Sequence, residues 1–174
     1  MRQLMLLRHA KSAWDDPALD DRDRPLNARG KLAAAGLRTV METVGLRPDL
    51  VLVSPAARTE QTLAALTPWP KPAPRVETME ALYLADVERL MTIVRAIPAD
   101  CAHVLVIGHN PGLHELAMLL AAPDGPANED ERRLLEGFPT GALAEFAVAA
   151  EWAELRAGAG RLRRFVDPRD VAVA

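Results

Sequence analysis

The chain opens on a compact apolar run, Leu4-Met5-Leu6-Leu7, that stops abruptly at Arg8-His9-Ala10-Lys11-Ser12. A short apolar run closed by polar residues predicts a strand covered on both faces. The pattern returns in Leu50-Val51-Leu52-Val53, which ends at Ser54-Pro55, and in Val104-Leu105-Val106-Ile107, which ends at Gly108-His109-Asn110-Pro111-Gly112. Between these runs the spacing becomes helical. Leu32, Ala33, Leu37, Val40, Met41 and Val44 follow Asn27, a good N-cap, and Gly45 can close the helix. Ser54 as N-cap and Pro55 as first helical residue predict a second helix to about residue 66, with Arg58 in its first turn. Val87, Leu90, Met91, Val94 and Ile97 predict a third, opening near Asp86 and closing at Pro98. Asn110 as cap and Pro111 at the first position predict a fourth, burying Leu113, Leu116, Ala117 and Leu120.

The remaining pattern is less regular. Residues 12–25 are rich in Asp, Arg and Pro and read as a surface loop. The proline-rich stretch 67–74 is too short for a domain linker and leads into a short strand at Arg75-Val76-Glu77. Residues 123–137 are polar and acidic, which predicts loop plus a short helix over 129–135; 138–141 form a turn, and 142–147 and 161–166 are strands. Strands alternating with helices predict a three-layer α/β/α domain around a mostly parallel sheet, with antiparallel pairing admitted at the late strand–strand connection.

Composition narrows the class. A chain of 174 residues, 49% of them hydrophobic, can bury a full core as one domain spanning 1–174. The formal charge of −3 comes from interspersed acids and bases, leaving no broad basic surface for nucleic acid and no polybasic arm for a membrane. Cys101 is the only cysteine, so no internal disulfide forms; it reads as a small buried residue in a reducing compartment. No signal-like apolar segment or bilayer-length run occurs, which predicts a cytoplasmic protein.

The chemistry gathers where the apolar runs stop. Ligands in open α/β sheets collect outside the carboxyl ends of the strands, and there the chain places Arg8 and His9, then Arg58, then His109. Arg58 is informative because the first turn of a helix ordinarily favours acids; an arginine there suits an anion. Alternation would send Arg8 and His9 to opposite faces, so both serve one pocket only if the backbone leaves strand geometry between them. Gly108 beside His109 suggests close backbone approach by a ligand. Each residue alone has an ordinary reading: a strand-end histidine satisfied by backbone groups, a solvated helix arginine, a residue flanking a helix cap. Together, two arginines and two histidines at strand ends suit a compact oxyanion such as phosphate. His103 and His114 read as structural, and Lys11, Ser12 and Arg29 lie near the pocket in sequence.

Leu7-Arg8-His9-Ala10, Ser54-Pro55 with Arg58 and Gln61-Thr62, and Gly108-His109 resemble the histidine phosphatase superfamily, whose fold is phosphoglycerate mutase-like. Arg24-Pro25-Leu26 with Gly30, Pro139-Thr140-Gly141 and the short chain are similar to its phosphohistidine phosphatases of the SixA type. The resemblance implies that His9 is the nucleophile, forming a phosphohistidine intermediate, and that Arg8, Arg58 and His109 bind the phosphoryl oxygens. In that chemistry a neutral His9 attacks phosphorus while the guanidiniums and a protonated His109 stabilise the charge of the phosphoryl group in transit. Arginine then does the work of a metal ion, so neither metal nor cofactor is expected.

One departure concerns the general acid. Many family members carry a glutamate after the third strand, whereas the corresponding stretch here offers only Glu80 and Asp86 as candidates. A weak acid matters less for a phosphoramidate, whose imidazole leaves readily, than for an alkyl phosphate. That, with no insertion long enough for a cap domain, favours a protein phosphohistidine as substrate. The alternatives are a small-molecule phosphomonoesterase and a non-catalytic phosphate-binding module.

Overall fold

The computed structural model describes residues 1–121 and 127–170. The strands β1 (Arg2–Arg8), β2 (Leu50–Val53), β3 (Arg75–Thr78), β4 (His103–Gly108), β5 (Leu143–Val148) and β6 (Gly160–Val166) form one six-stranded sheet in the order β3-β2-β4-β1-β5-β6. Pairing is parallel from β3 through β2 and β4 to β1, and antiparallel from β1 to β5 to β6. The helices are α1 (Ala28–Thr43), α2 (Ala57–Ala65), α3 (Val87–Arg95), α4 (Gly112–Ala121) and α5 (Glu129–Glu136). This is the expected three-layer α/β/α architecture with a mostly parallel sheet.

The period-two alternation of each buried strand builds the layers. Leu4 and Leu6 join Leu52 and Val106 in a core with Leu90 and Val94 of α3 and Leu116 and Leu120 of α4. Met5 and Leu7 join Val51, Val53, Leu105 and Ile107 in a second core with Leu37 and Met41 of α1 and Leu63 of α2. Burying one such leucine is worth about 1.5–3 kcal/mol, and both faces of the central strands gain it, which is why these runs read as continuously apolar. Parallel register aligns the strand ends: Arg8 is level with Gly108, and Val53 with Ile107. His9, Ser54 and His109, each the next residue, therefore leave the sheet on one edge.

Several local expectations hold in detail. The Asn27 side chain accepts from the Gly30 N–H at 2.8 Å to open α1, and Asp86 accepts from the Arg89 N–H at 2.9 Å to open α3. Asn128 and Glu131 form a reciprocal capping box for α5; the part of the predicted acidic segment at residues 123–126 lies outside the described residues. Cys101 is buried, and Trp152 donates its indole N–H to the Cys101 carbonyl at 2.7 Å. Among the described residues no helix is long and apolar enough to cross a membrane.

Two predicted caps are not caps. The N-cap position of α2 is Ala56, not Ser54, and Pro55 precedes the helix; the buried Ser54 hydroxyl pairs with a histidine instead. Asn110 does not cap α4, which starts at Gly112: its Oδ1 takes no hydrogen bond from the helix, and its amide N–H donates to the Phe138 carbonyl at 2.9 Å. A polar side chain near a helix start has more than one outlet, and here tertiary partners take it.

Candidate active site

The edge formed by β1, β2 and β4 gathers the four residues singled out in the sequence. Arg8 ends β1 and keeps its alternation, pointing to the α4 side, where Nη1 donates to the Phe138 carbonyl at 3.0 Å. Strand geometry then stops. The Gly141 N–H donates to both the Arg8 and His9 carbonyls, at 3.1 and 3.0 Å, and the His9 N–H donates to the Gly108 carbonyl at 3.1 Å. Alternation sends the His9 ring to the α2 side, the face of Met5 and Leu7. The two imidazoles face one another with ring centroids 5.4 Å apart.

α2 supplies the third wall through residues spaced three and four apart on one face. Arg58 Nε lies 3.3 Å from His9 Nε2, and Arg58 Nη2 lies 3.4 Å from His109 Nδ1. One turn on, Thr62 Oγ1 accepts from the Ala10 N–H at 3.0 Å while Gln61 Oε1 accepts from the Leu26 N–H at 2.8 Å. These two residues fasten the His9 turn and the chain entering α1 to the helix that carries Arg58.

The partners fix the tautomers. His9 Nδ1 lies 2.7 Å from the Ala10 carbonyl, which only accepts, so Nδ1 carries the proton and Nε2 carries the lone pair. Arg58 Nε, which only donates, faces that lone pair. At His109 the same reasoning gives the opposite tautomer: Nδ1 faces the guanidinium, and Nε2–H donates to Ser54 Oγ at 2.7 Å. Burial, opposed by the Ala10 hydrogen bond and reinforced by Arg58, Arg8 and Arg24, lowers the His9 pKa to about 4. Burial, then Arg58 and His9, lowers that of His109 to about 3, Asp21 opposing. Both rings are neutral near pH 7 in the free protein. In the free protein burial and the Arg58 charge outweigh the opposing pull of Asp21 on His109; the protonated ring expected during transfer belongs to the phosphoryl-bound state. Burial followed by the Arg58 charge also lowers the Arg8 pKa.

The outer side of Arg58 is held by a residue that the sequence did not single out. Asp21, in a short helical turn over Asp21–Asp23, accepts from Arg58 Nη1 through its carbonyl at 2.5 Å and from Nη2 through Oδ2 at 2.9 Å. Oδ1 accepts from Arg24 Nη2 and Nε at 2.7 and 3.1 Å, and Oδ2 also accepts from the Tyr83 hydroxyl at 2.7 Å. Against burial, the bonds from Tyr83, Arg24 and Arg58 hold the Asp21 carboxyl well below the usual carboxylate range. Tyr83, the only tyrosine, packs edge-on against His109 with ring centroids 5.6 Å apart; burial and then Asp21 push its hydroxyl pKa up.

The two candidate acids are engaged elsewhere. Glu80 is exposed and binds Arg22 Nη1 and Nη2 through both carboxylate oxygens, at 2.9 and 2.5 Å; that pairing lowers its pKa, the wrong direction for a proton donor. Asp86 spends its carboxylate on capping α3. A Cβ at Gly108 would meet only the Leu113 side chain at 3.6 Å, an ordinary contact facing α4. Ser12 accepts from Arg24 at 3.2 Å, while Lys11 and Arg29 line an open cavity of about 320 Å³ with Pro139 and Thr140. His114 pairs with the Leu134 carbonyl at 2.8 Å, and His103 lies 3.6 Å from Asp49, both outside the site. Beside Arg8 a cleft of about 560 Å³ opens between Asn110, His114, Phe138 and Pro139. Among the described residues no group of three or more His, Cys, Asp or Glu side chains is placed to hold a metal ion.

Sequence reasoning missed Asp21, Tyr83 and the role of Ser54. Asp21 sits in the run Asp20-Asp21-Arg22-Asp23-Arg24, where nothing local separates one aspartate from the next. Ser54 directly before Pro55 carried a signal, but it pointed to the helix.

Comparison with known proteins bears on the family and the fold. Residues 4–82 match the model of the histidine phosphatase superfamily (branch 1). A structure from Nakamurella multipartitia, a candidate phosphohistidine phosphatase SixA, is 31% identical, with a TM-score of 0.82 and 96% of each chain covered. The chain belongs to the histidine phosphatase superfamily. Another member, the candidate SixA from Agrobacterium tumefaciens, superposes with a TM-score of 0.80 at 30% identity over 96% of this chain and 98% of that one. An uncharacterised protein of Mycobacterium tuberculosis H37Rv is 36% identical over 167 residues, 94% of this chain and all of the relative. The superfamily fold extends to SixA bound to tungstate, with a TM-score of 0.75 at 24% identity over 98% of this chain and 99% of that one.

Proposed function

We propose that this histidine phosphatase superfamily protein is a metal-independent phosphatase of the SixA type that hydrolyses protein phosphohistidine through a covalent intermediate on His9. The observation that carries the reading is the His9 Nε2 lone pair, released by the Nδ1–H bond to Ala10 and set against the inner edge of Arg58 opposite His109. A phosphoryl group between the rings meets a nucleophile on one side and donors from Arg8 and Arg58 around its oxygens. Its negative charge offsets the guanidinium repulsion at His109, so the ring gains a proton and donates to the anion.

In the first half-reaction His9 Nε2 forms a bond to phosphorus as the substrate P–N bond breaks and its electron pair passes to the leaving imidazole. That ring takes a proton from solvent on its far nitrogen and leaves neutral, which removes the need for an acid at the scissile atom. In the second half-reaction water attacks phosphorus, loses a proton and releases inorganic phosphate, restoring His9. With Glu80 paired to Arg22 and Asp86 capping a helix, a substrate that needs no positioned acid fits better than an alkyl phosphate. Hydrolysis without metal is an expectation of this arrangement, in which arginines carry the electrostatic role.

The test is a trapping experiment with a phosphohistidine-bearing protein labelled on phosphorus. Acid-labile, base-stable label should appear on the wild-type chain and be absent from His9→Ala. Turnover without any trapped label in rapid quench would contradict the covalent route, and fast hydrolysis of sugar or nucleotide phosphates with none of phosphohistidine would replace the substrate assignment.

A further inference from the structure

The Arg58 guanidinium is used on two edges. The inner edge, Nε and Nη2, faces His9 and His109; the outer edge, Nη1 and Nη2, is bound by the carbonyl and Oδ2 of Asp21. Arginine is planar, with its donors in a fixed fork, so fixing one edge fixes the direction of the other. The long side chain has rotamer freedom to lose, and a fork that swings presents its inner edge only part of the time.

Asp21 is built to hold that edge. Its Oδ1 is clamped by Arg24, and its Oδ2 receives Tyr83 together with Arg58. Arg24 is anchored in turn by Ser12 and by Trp14, whose ring lies 3.4 Å from the guanidinium carbon. The neighbouring Arg22 ties the same turn to Glu80 on the opposite rim. The loop 12–26 thus braces an arginine 2% exposed with an aspartate 44% exposed. Resting on the phosphatase reading above, we propose that Asp21 is a positioning residue that locks Arg58 so that its inner edge presents two parallel donors to the transferring phosphoryl group between His9 and His109.

The competing role for the same carboxylate is obstruction, with Asp21 occupying arginine donors that the phosphoryl group needs. The donors taken by Asp21 lie on the outer edge, away from the two rings, which favours positioning. The two roles predict opposite signs. Loss of a positioner slows the chemical step, because displacing a group by about 1 Å can lower turnover about a hundredfold. Loss of an obstruction speeds it.

The variant is Asp21→Asn in the full chain, which keeps the side-chain shape and removes the charge. Turnover should fall about tenfold to a hundredfold, whereas affinity for inorganic phosphate should stay within about threefold or tighten, since a negative charge beside the pocket has gone. The Arg58 Nε–H resonance, assigned by its loss in Arg58→Lys, should be sharp in the wild type and broadened in Asp21→Asn. Tyr83→Phe keeps the Asp21 charge and should lower turnover by less than about fivefold. Unchanged or increased turnover, phosphate affinity falling in parallel with turnover, or an Arg58 resonance indifferent to the substitution would each overturn the proposal. If the wild type hydrolyses no phosphohistidine, it is the functional reading that fails; the Arg58 resonance and the titration with inorganic phosphate still decide the role of Asp21.

Discussion

His9 and His109 are kept neutral by burial and by the guanidinium beside them, while opposite hydrogen-bond arrangements set which nitrogen of each carries the lone pair, and this division sets what each ring can do. His9 donates from Nδ1 to a carbonyl and so offers Nε2 as a nucleophile; His109 donates from Nε2 to Ser54 and offers Nδ1 to whatever approaches. A protonated His9 cannot attack. Its pKa of about 4 in the free protein therefore places the acid limb of kcat/KM near pH 4 rather than 6.5, since kcat/KM reports the free enzyme. Rates of phosphoenzyme formation at limiting substrate between pH 3.5 and 8 would measure it, and an acid limb near 6.5 would show that burial and the guanidiniums do not hold His9 neutral.

At the scale of elements, the site depends on close approaches that only glycine permits. At the start of α4 a Cβ on Gly112 would lie 1.9 Å from the Ala85 carbonyl oxygen, so α4 and the turn before α3 could not both keep their places. Gly112→Ala should destabilise the protein by at least about 2 kcal/mol, because backbone must shift to relieve the clash. Gly108→Ala, four residues earlier, meets only the Leu113 side chain at 3.6 Å and should cost less than about 1 kcal/mol. Denaturant midpoints of the two variants provide the comparison; equal losses would mean that α4 adjusts freely. The first two turns of α2 show a related dependence. Arg58, Gln61 and Thr62 serve three different partners, yet all require the same helix orientation.

For the whole molecule, two neutral buried histidines couple folding to pH. In the unfolded chain each takes up a proton near pH 6.5, whereas in the folded chain uptake waits until about pH 4 for His9 and about pH 3 for His109. The unfolded state binds more protons across that window. Stability should thus be fully present above about pH 6.5 and decline as pH falls towards 4, by up to about 1.4 kcal/mol per pH unit for each ring. Urea unfolding at pH 7.5 and pH 5.0 would show it; equal stability at both values would contradict the neutral assignment. Inorganic phosphate, if it binds only the folded site, should raise the midpoint.

Apolar runs, helical periodicity and the Asn27 and Asp86 caps act over a few residues, so the sequence alone determined the strands, most of the helices and the three-layer class. The ordered placement of Arg8, His9, Arg58 and His109 at strand ends was legible for the same reason, parallel strands bringing their carboxyl ends to one edge. Tertiary structure alone decided which of several available partners each polar group takes. Ser54 could cap a helix or bind a histidine 55 residues away, and only packing chose the histidine. Asp21 is one of three aspartates in a polar run until the fold sets it against Arg58, 37 residues on. Long-range contacts also took Glu80, held by Arg22 58 residues away, while Asp86 is held by its local cap; burial and the Arg58 charge decided the charge of His109, because surroundings, not residue type, determine where a proton resides.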